Sequence, residues 1–405
     1  MPMLTPHVRS LVASSLLLTI LILAPIDVLG IGKAHGFRVL KATRASIYSK
    51  YKPRYQTIAH RILELESEAT VVDDSMYQLL DTFIDEAKAE IRITPLSEDR
   101  SESSKQVESI LLTIDDILIR HNVIYPRNRK EDWTLLLRDG LTPTTLKGPE
   151  LERILGQEHN RRRVNRLDLN KPFFLLDCDT ASFVYLAIGE VLGLPLSMVD
   201  LPEHNFIRWS FDPQSYLNWE TMYGRFRSNA EYRSFIGGAD LAEDLYKRRV
   251  YLVAMSPQDV LGYCYGARAL KWEKPELKDY RRAIEDYETS IKLYPRTPFA
   301  FNNLAWLLAT NPDKKIRDGR KAIILAKQAV SINPTDASFL DTLGAAYAED
   351  RQFEKAAEVE QRACDLSSKQ LYCTLVAVYR GGSTYAQFMA TKPLDNSDSK
   401  TATRH

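Results

Sequence analysis

Within residues 175–220 the chain carries a cysteine, a histidine and a carboxamide in the order a thiol nucleophile requires: Cys178, His204 and Asn218. A cysteine at a helix start can act as a nucleophile, because the unpaired amides of the first turn carry partial positive charge that favours thiolate over thiol. Val184, Ala187, Ile188 and Val191 recur at helical spacing after Cys178, and Gly193 with Pro195 ends the run. Residues 196–201 read as a buried strand. In the alternating run 204–211, His204, Phe206, Arg208 and Ser210 share one face, and Asn205, Ile207, Trp209 and Phe211 share the other. Asp212-Pro213 turns the chain back into a third strand at 216–220. A turn near Phe211 and Asp212 sets Asn218 roughly opposite His204, the place from which a third residue orients an imidazole. Glu220 lies two residues along the same face and is the alternative. Asp177 and Asp179 flank the thiol with negative charge, which works against the helix dipole.

Each residue also has a plainer role. Cys178 can be a small buried side chain, His204 a hydrogen-bonded half-buried ring, and Trp219 is expected in the core. The strings LDCDT, LGLP, LPEHNFIRW and NWET nevertheless resemble the transglutaminase-like superfamily, relatives of the papain-type cysteine proteases. In particular they resemble bacterial members that carry tetratricopeptide repeats at the C-terminus. The resemblance covers residues 141–224 and, separately, the C-terminal repeats. It implies an α+β transglutaminase-like (papain-like) domain in which Cys178 is the nucleophile, His204 the general base and acid, and Asn218 the third member. Many relatives have glycine before the cysteine, where this chain has Asp177, and many have aspartate in the third place.

The elements that must hold these residues follow from the rest of the chain. With 405 residues, 44% hydrophobic and 26% charged, the composition suits two or three globular domains. A net charge of +1 offers no field to hold a polyanion, so nucleic acid is not an expected partner. In residues 1–30, His7 and Arg9 precede an uncharged run of about 14 residues, the pattern of a signal segment and too short for a comfortable membrane span. Export to the periplasm or cell envelope is the expectation, with membrane attachment only if the segment stays uncleaved. The four cysteines show no close spacing for zinc, so neither metal nor cofactor is expected. Cys364 and Cys373 are near enough to pair in an oxidising space, although free buried thiols are the default reading.

Residues 31–130 read as a helical region packing on the core. Met76, Leu79, Leu80, Phe83, Ile84, Ala87 and Ile91 form one stripe; Val107, Ile110, Leu111, Ile114, Ile117, Leu118 and His121 form another. Residues 131–250 should hold the transglutaminase-like domain. Within it, 150–166 reads as one helix ending in Arg161, Arg162, Arg163 and Arg166, either a solvated helix end or a cationic rim beside the thiol. Residues 256–380 contain an internal repeat: RRAIEDYETSIKLYP, RKAIILAKQAVSINP and EKAAEVEQRACDLSS align with Ala283, Ala322 and Ala356 equivalent. Leu261, Gly262 and Tyr265, then Leu304, then Leu343, Gly344 and Tyr347 match the core of the tetratricopeptide repeat. Three repeats and a cap form a solenoid that either presents a groove to a protein or peptide or buttresses the catalytic layer. Residues 381–405 read as a disordered tail. Two functions stand open: a cysteine peptidase or amidase, or a transglutaminase, acting on an amide carbonyl; and an inactive scaffold for protein association in the envelope.

Overall fold

The computed structural model describes residues 51–126, 136–202, 204–233 and 239–391. The expected signal segment at 1–30, residues 31–50, the boundary at 127–135 and the tail from 392 onward lie outside the described residues. The two apolar stripes form the helices α2, Asp74–Glu90, and α3, Arg100–Arg120, preceded by α1, Ile58–Glu66. Asp73 and Asp99 cap the two longer helices by accepting the N–H groups of Ser75 and Glu102, each at 2.9 Å. Leu80, Phe83, Ile84, Val107, Leu111, Ile114 and Leu118 are buried in one apolar cluster.

Between α3 and the site come β1, Val123–Ile124; α4, Leu137–Gly140; α5, Gly148–Leu155; and β2, Phe174–Leu175. Strands β1 and β2 pair in parallel, which ties the run into Cys178 to the end of α3. The expected single helix over 150–166 is instead α5 followed by two 3-10 turns, Glu158–Asn160 and Val164–Arg166. The buried Asn160 amide diverts the chain: it accepts the Tyr125 N–H at 3.1 Å and donates to the carbonyls of Tyr125 and Ile154, both at 2.9 Å.

Helix α6, Cys178–Leu192, follows at once. Its start is a capping box in which Asp177 accepts the Thr180 N–H at 2.9 Å while the Thr180 hydroxyl oxygen accepts the Asp177 N–H at 2.8 Å. Its end is Gly193, whose φ of +67° is left-handed and suits glycine. Next comes an antiparallel four-stranded meander: β3, Leu196–Leu201; β4, His204–Ser210; β5, Tyr216–Glu220; β6, Arg225–Arg227, in that spatial order. Short helices α7, Asn229–Arg233, and α8, Ala239–Lys247, close this mixed part.

An all-helical row follows: α9, Pro257–Glu273; α10, Tyr280–Leu293; α11, Pro298–Thr310; α12, Gly319–Ile332; α13, Ala337–Glu349; α14, Phe353–Leu366; α15, Gln370–Arg380; α16, Tyr385–Thr391. From α9 to α15 each helix packs against its sequence neighbours. Small residues allow the approach. A Cβ added at Gly262 would come within 2.8 Å of the Tyr294 Cβ, and Ala283, Ala322 and Ala356 are fully buried.

The row is fused to the mixed part. Val260, Cys264 and Tyr294 share the apolar cluster of α1 to α3, and the Met255 N–H donates to the Met198 carbonyl at 2.8 Å. The Arg268 guanidinium, buried against Asp286, donates to the Leu65 carbonyl at 2.9 Å.

Two expectations are corrected in this region. Cys364 and Cys373 form a disulfide, because the short turn after α14 sets the end of that helix beside the first turn of α15. The stretch read as a tail contains α16, whose Tyr385 packs on Trp306.

Burial pushes the Glu66 and Glu360 carboxyls up to about 8 from an ordinary 4.5, in Glu66 against the pull of two backbone N–H donors. A proton retained in the fold above the unfolded pKa adds stability that is complete below about 4.5 and lost as pH rises towards about 8. The urea midpoint should therefore fall between about pH 6 and about pH 9, and Glu360→Gln, which keeps the shape without a proton to lose, should lessen that fall. An equal fall in both proteins would contradict this assignment.

Candidate functional site

The turn between β4 and β5 decides which carboxylate or amide meets the imidazole. The Phe211 N–H donates to the Ser215 carbonyl at 2.8 Å, and the Asp212 carboxylate accepts the N–H groups of Gln214 and Ser215 at 2.8 and 2.9 Å. This Asx-type turn runs through Ser215, so the hairpin reverses later than a turn at Phe211 and Asp212 would. Arg208 therefore faces Asn218, and Ile207 faces Trp219.

The expected pairing of Asn218 with His204 is corrected by this register. Asn218 accepts from the buried Arg208 Nε at 2.8 Å and donates to Asn229 at 2.7 Å. It is the alternative on the same face, Glu220, that reaches diagonally to His204, with its Oε2 2.8 Å from Nε2. Tyr232 also donates to that oxygen, at 3.1 Å. Trp219, expected in the core, is fully buried with its indole N–H 3.2 Å from the Tyr185 hydroxyl.

Cys178 reaches the same strand from another direction. The Asp200 carbonyl turns away from β4 to accept the Leu252 N–H at 3.4 Å, so its partner Asn205 directs its own N–H to the β5 side of the ladder. There β5 has already ended at Glu220, and the Asn205 N–H is turned toward the Cys178 sulfur, whose pKa it draws down. The thiol is thus directed at Asn205, the second residue of β4. Asn205, which the sequence reading passed over, fixes the approach with its side chain as well: it accepts the Ser182 hydroxyl at 2.7 Å and donates to the Asp179 carboxyl. Its signal was a polar residue on the apolar face with Ile207 and Trp209.

Electrostatics divide the carboxyls into two kinds. Burial would raise Glu220, but the His204 hydrogen bond and the charges of His204 and Arg227 outweigh it and hold the carboxyl below its ordinary value. Asp179 and Asp177 go the other way, pushed up chiefly by burial. Asp200 rises to about 7 for the same reason. The Cys178 thiol is pushed well above its ordinary range by burial first, then by Asp179 and Asp177, against the pull of the Asn205 N–H. The resting sulfur is consequently a neutral thiol. The residue as a whole keeps partial exposure to solvent although its thiol is enclosed, whereas the second free cysteine, Cys264, is buried.

The first helical hairpin supports the site from below: Tyr294 donates to Asp200 at 3.0 Å, and the Tyr263 hydroxyl acts to lower the pKa of Asp179. The arginine cluster divides: Arg161, Arg162 and Arg166 are exposed, as a solvated helix end would be, while Arg163 is buried. Arg163 is buried on Asp115 and over the Tyr125 ring, Arg162 donates to the Gly224 carbonyl at 3.0 Å, and Arg166 pairs with Asp116 at 2.7 Å. It clasps α3 to the loop after β5. Among the described residues no group of three or more His, Cys, Asp or Glu side chains could hold a metal ion, and no helix is long and apolar enough to cross a membrane. No protein-family model matches the chain, and no curated protein shows significant similarity to it.

The two amino acids at the end of β5 should behave differently. Asn218→Ala strips the acceptor from the buried Arg208 Nε and should cost about 1–3 kcal/mol in urea denaturation. It should leave the alkylation rate of Cys178 in the folded protein unchanged. Unaltered stability would contradict the pairing of Asn218 with Arg208.

Proposed function

We propose that the chain is an exported cysteine hydrolase of transglutaminase-like fold, a peptidase or amidase, that attacks an amide carbonyl through Cys178, His204 and Glu220. A tetratricopeptide-type row then serves to bind a protein or peptide partner. One observation carries the reading: the N–H of Asn205, the residue after His204 on β4, is turned toward the sulfur, and the His204 Nε2 is held by a buried, ionised Glu220. Because Nε2 is engaged by Glu220, Nδ1 is the nitrogen that would take the thiol proton as the sulfur–carbon bond forms. Glu220 stabilises the resulting imidazolium, which then protonates the departing amine as the carbon–nitrogen bond breaks. The Cys178 backbone N–H, at the first turn of α6, is a donor for the oxyanion. Water attacks the thioester to complete hydrolysis; an amine in its place gives transamidation.

Two further observations bear on this reading. The Cys364–Cys373 disulfide suits an oxidising compartment and supports export. The carboxyls of Asp177 and Asp179, which help to keep the sulfur protonated, favour the alternative of an inactive scaffold in the cell envelope.

Trapping separates these readings. After exposure to an activated acyl ester, intact-mass analysis should show one acyl group on the wild-type protein and none on Cys178→Ala. His204→Ala should slow the transfer by about 100-fold or more. Loss of the adduct in water identifies hydrolysis, and its capture by added amine identifies transamidation. Equal acylation of wild type and Cys178→Ala would leave the scaffold reading.

A further inference from the structure

Helix α16 does not continue the helical row. A further member would lie beside α15 and α14, whereas α16 packs on α11, α13 and α15, the leading helices of successive hairpins. Those leading helices face the same side of the row, so α16 crosses that side from one hairpin to the next. Gly382, at φ +74°, permits the reversal, and a Thr384–Gln387 capping pair with bonds of 2.8 and 3.2 Å starts the helix.

Two aromatic side chains make the contact. The Tyr385 ring stands edge-on to Trp306 at 4.9 Å, and Phe388, one turn later, packs on the cluster that holds Leu375 and Tyr379. The hold is light: no residue of the seven in α16 is fully buried, none is charged, and Met389 is 36% exposed. A helix this short does not persist without its packing.

We infer that α16 is an intramolecular plug in a peptide-binding groove, and that the partner it stands in for is an uncharged amphipathic helix bearing aromatic side chains three residues apart. This rests on the proposal that the helical row binds a peptide, and it adds the chemistry of the partner and a self-blocked resting state. The partner gains the aromatic seat only by displacing Tyr385 and Phe388, so binding and release of the C-terminal segment are one competition.

The test uses the full chain and a fluorescent synthetic peptide of residues 383–391. Tyr385→Ala/Phe388→Ala, which empties the seat, should bind the peptide about tenfold or more tightly than the unmodified chain, and adding Trp306→Ala should remove that gain. Equal affinity of the double variant and the unmodified chain would overturn the plug. A peptide with both aromatics replaced by alanine that binds equally well would overturn the aromatic chemistry and leave groove binding standing. If neither peptide binds the folded double variant, both ideas fall. Should that variant lose its cooperative melt, hydrogen exchange on the unmodified chain decides. Amides of Tyr385–Thr391 that exchange much faster than those of Gln370–Arg380 sustain the plug, and equal protection overturns it.

Discussion

The site depends on a strand that stops early. Had β5 continued past Glu220, a carbonyl would have taken the Asn205 N–H; because it ends there, the amide is turned toward the Cys178 sulfur. The same ending fixes the last side chain of β5 as the group that meets His204. Turn length is upstream of both facts, since the Asp212 carboxylate, by accepting two backbone N–H groups, sets where the hairpin reverses. One short polar side chain thereby selects a carboxylate in place of a carboxamide beside the imidazole.

Magnitudes then decide the state of the thiol. A helix start offers about 0.3–1 kcal/mol to a negative charge, less than one pKa unit, which corresponds to about 1.4 kcal/mol. Against it stand burial and the carboxyls of Asp177 and Asp179, and their direction wins. A sulfur that is neutral at rest needs a base at the moment of attack, which gives the His204–Glu220 pair its purpose in the proposed reaction. Of the carboxyls beneath the site, Asp200 accepts the Tyr294 hydroxyl of the helical row, and the Tyr263 hydroxyl acts to lower the pKa of Asp179. The row is therefore joined to β3 by a hydrogen bond as well as by chain.

What the sequence disclosed follows the periodicities that burial imposes. The alternation from His204 to Ser210, the helical spacing after Cys178, the twin stripes of α2 and α3 and the recurrent small residues of the row all reflect which face must leave water, and each is readable locally. The features that escaped it depend on contacts between distant segments. The hairpin register turned on side-chain capping inside a loop. Arg163 looked like one of a solvated cluster because its partner, Asp115, lies 48 residues away. The disulfide needed the mutual position of two helices, and α16 carries an apolar face too short to stand out from a polar tail. Asn205 shows the same limit at the site: its amide and its side chain serve different partners, and no spacing rule announces either.

The central claim, that the Cys178 sulfur and the His204 imidazole act as one unit, is tested most directly by the alkylation rate of Cys178 across neutral pH, with the buried Cys264 as internal reference. In the unmodified protein Cys178 should react faster than Cys264, and His204→Ala should slow Cys178 alone, bringing the two rates together. Rates that are already equal in the unmodified protein, or a Cys178 rate indifferent to His204→Ala, would contradict the account.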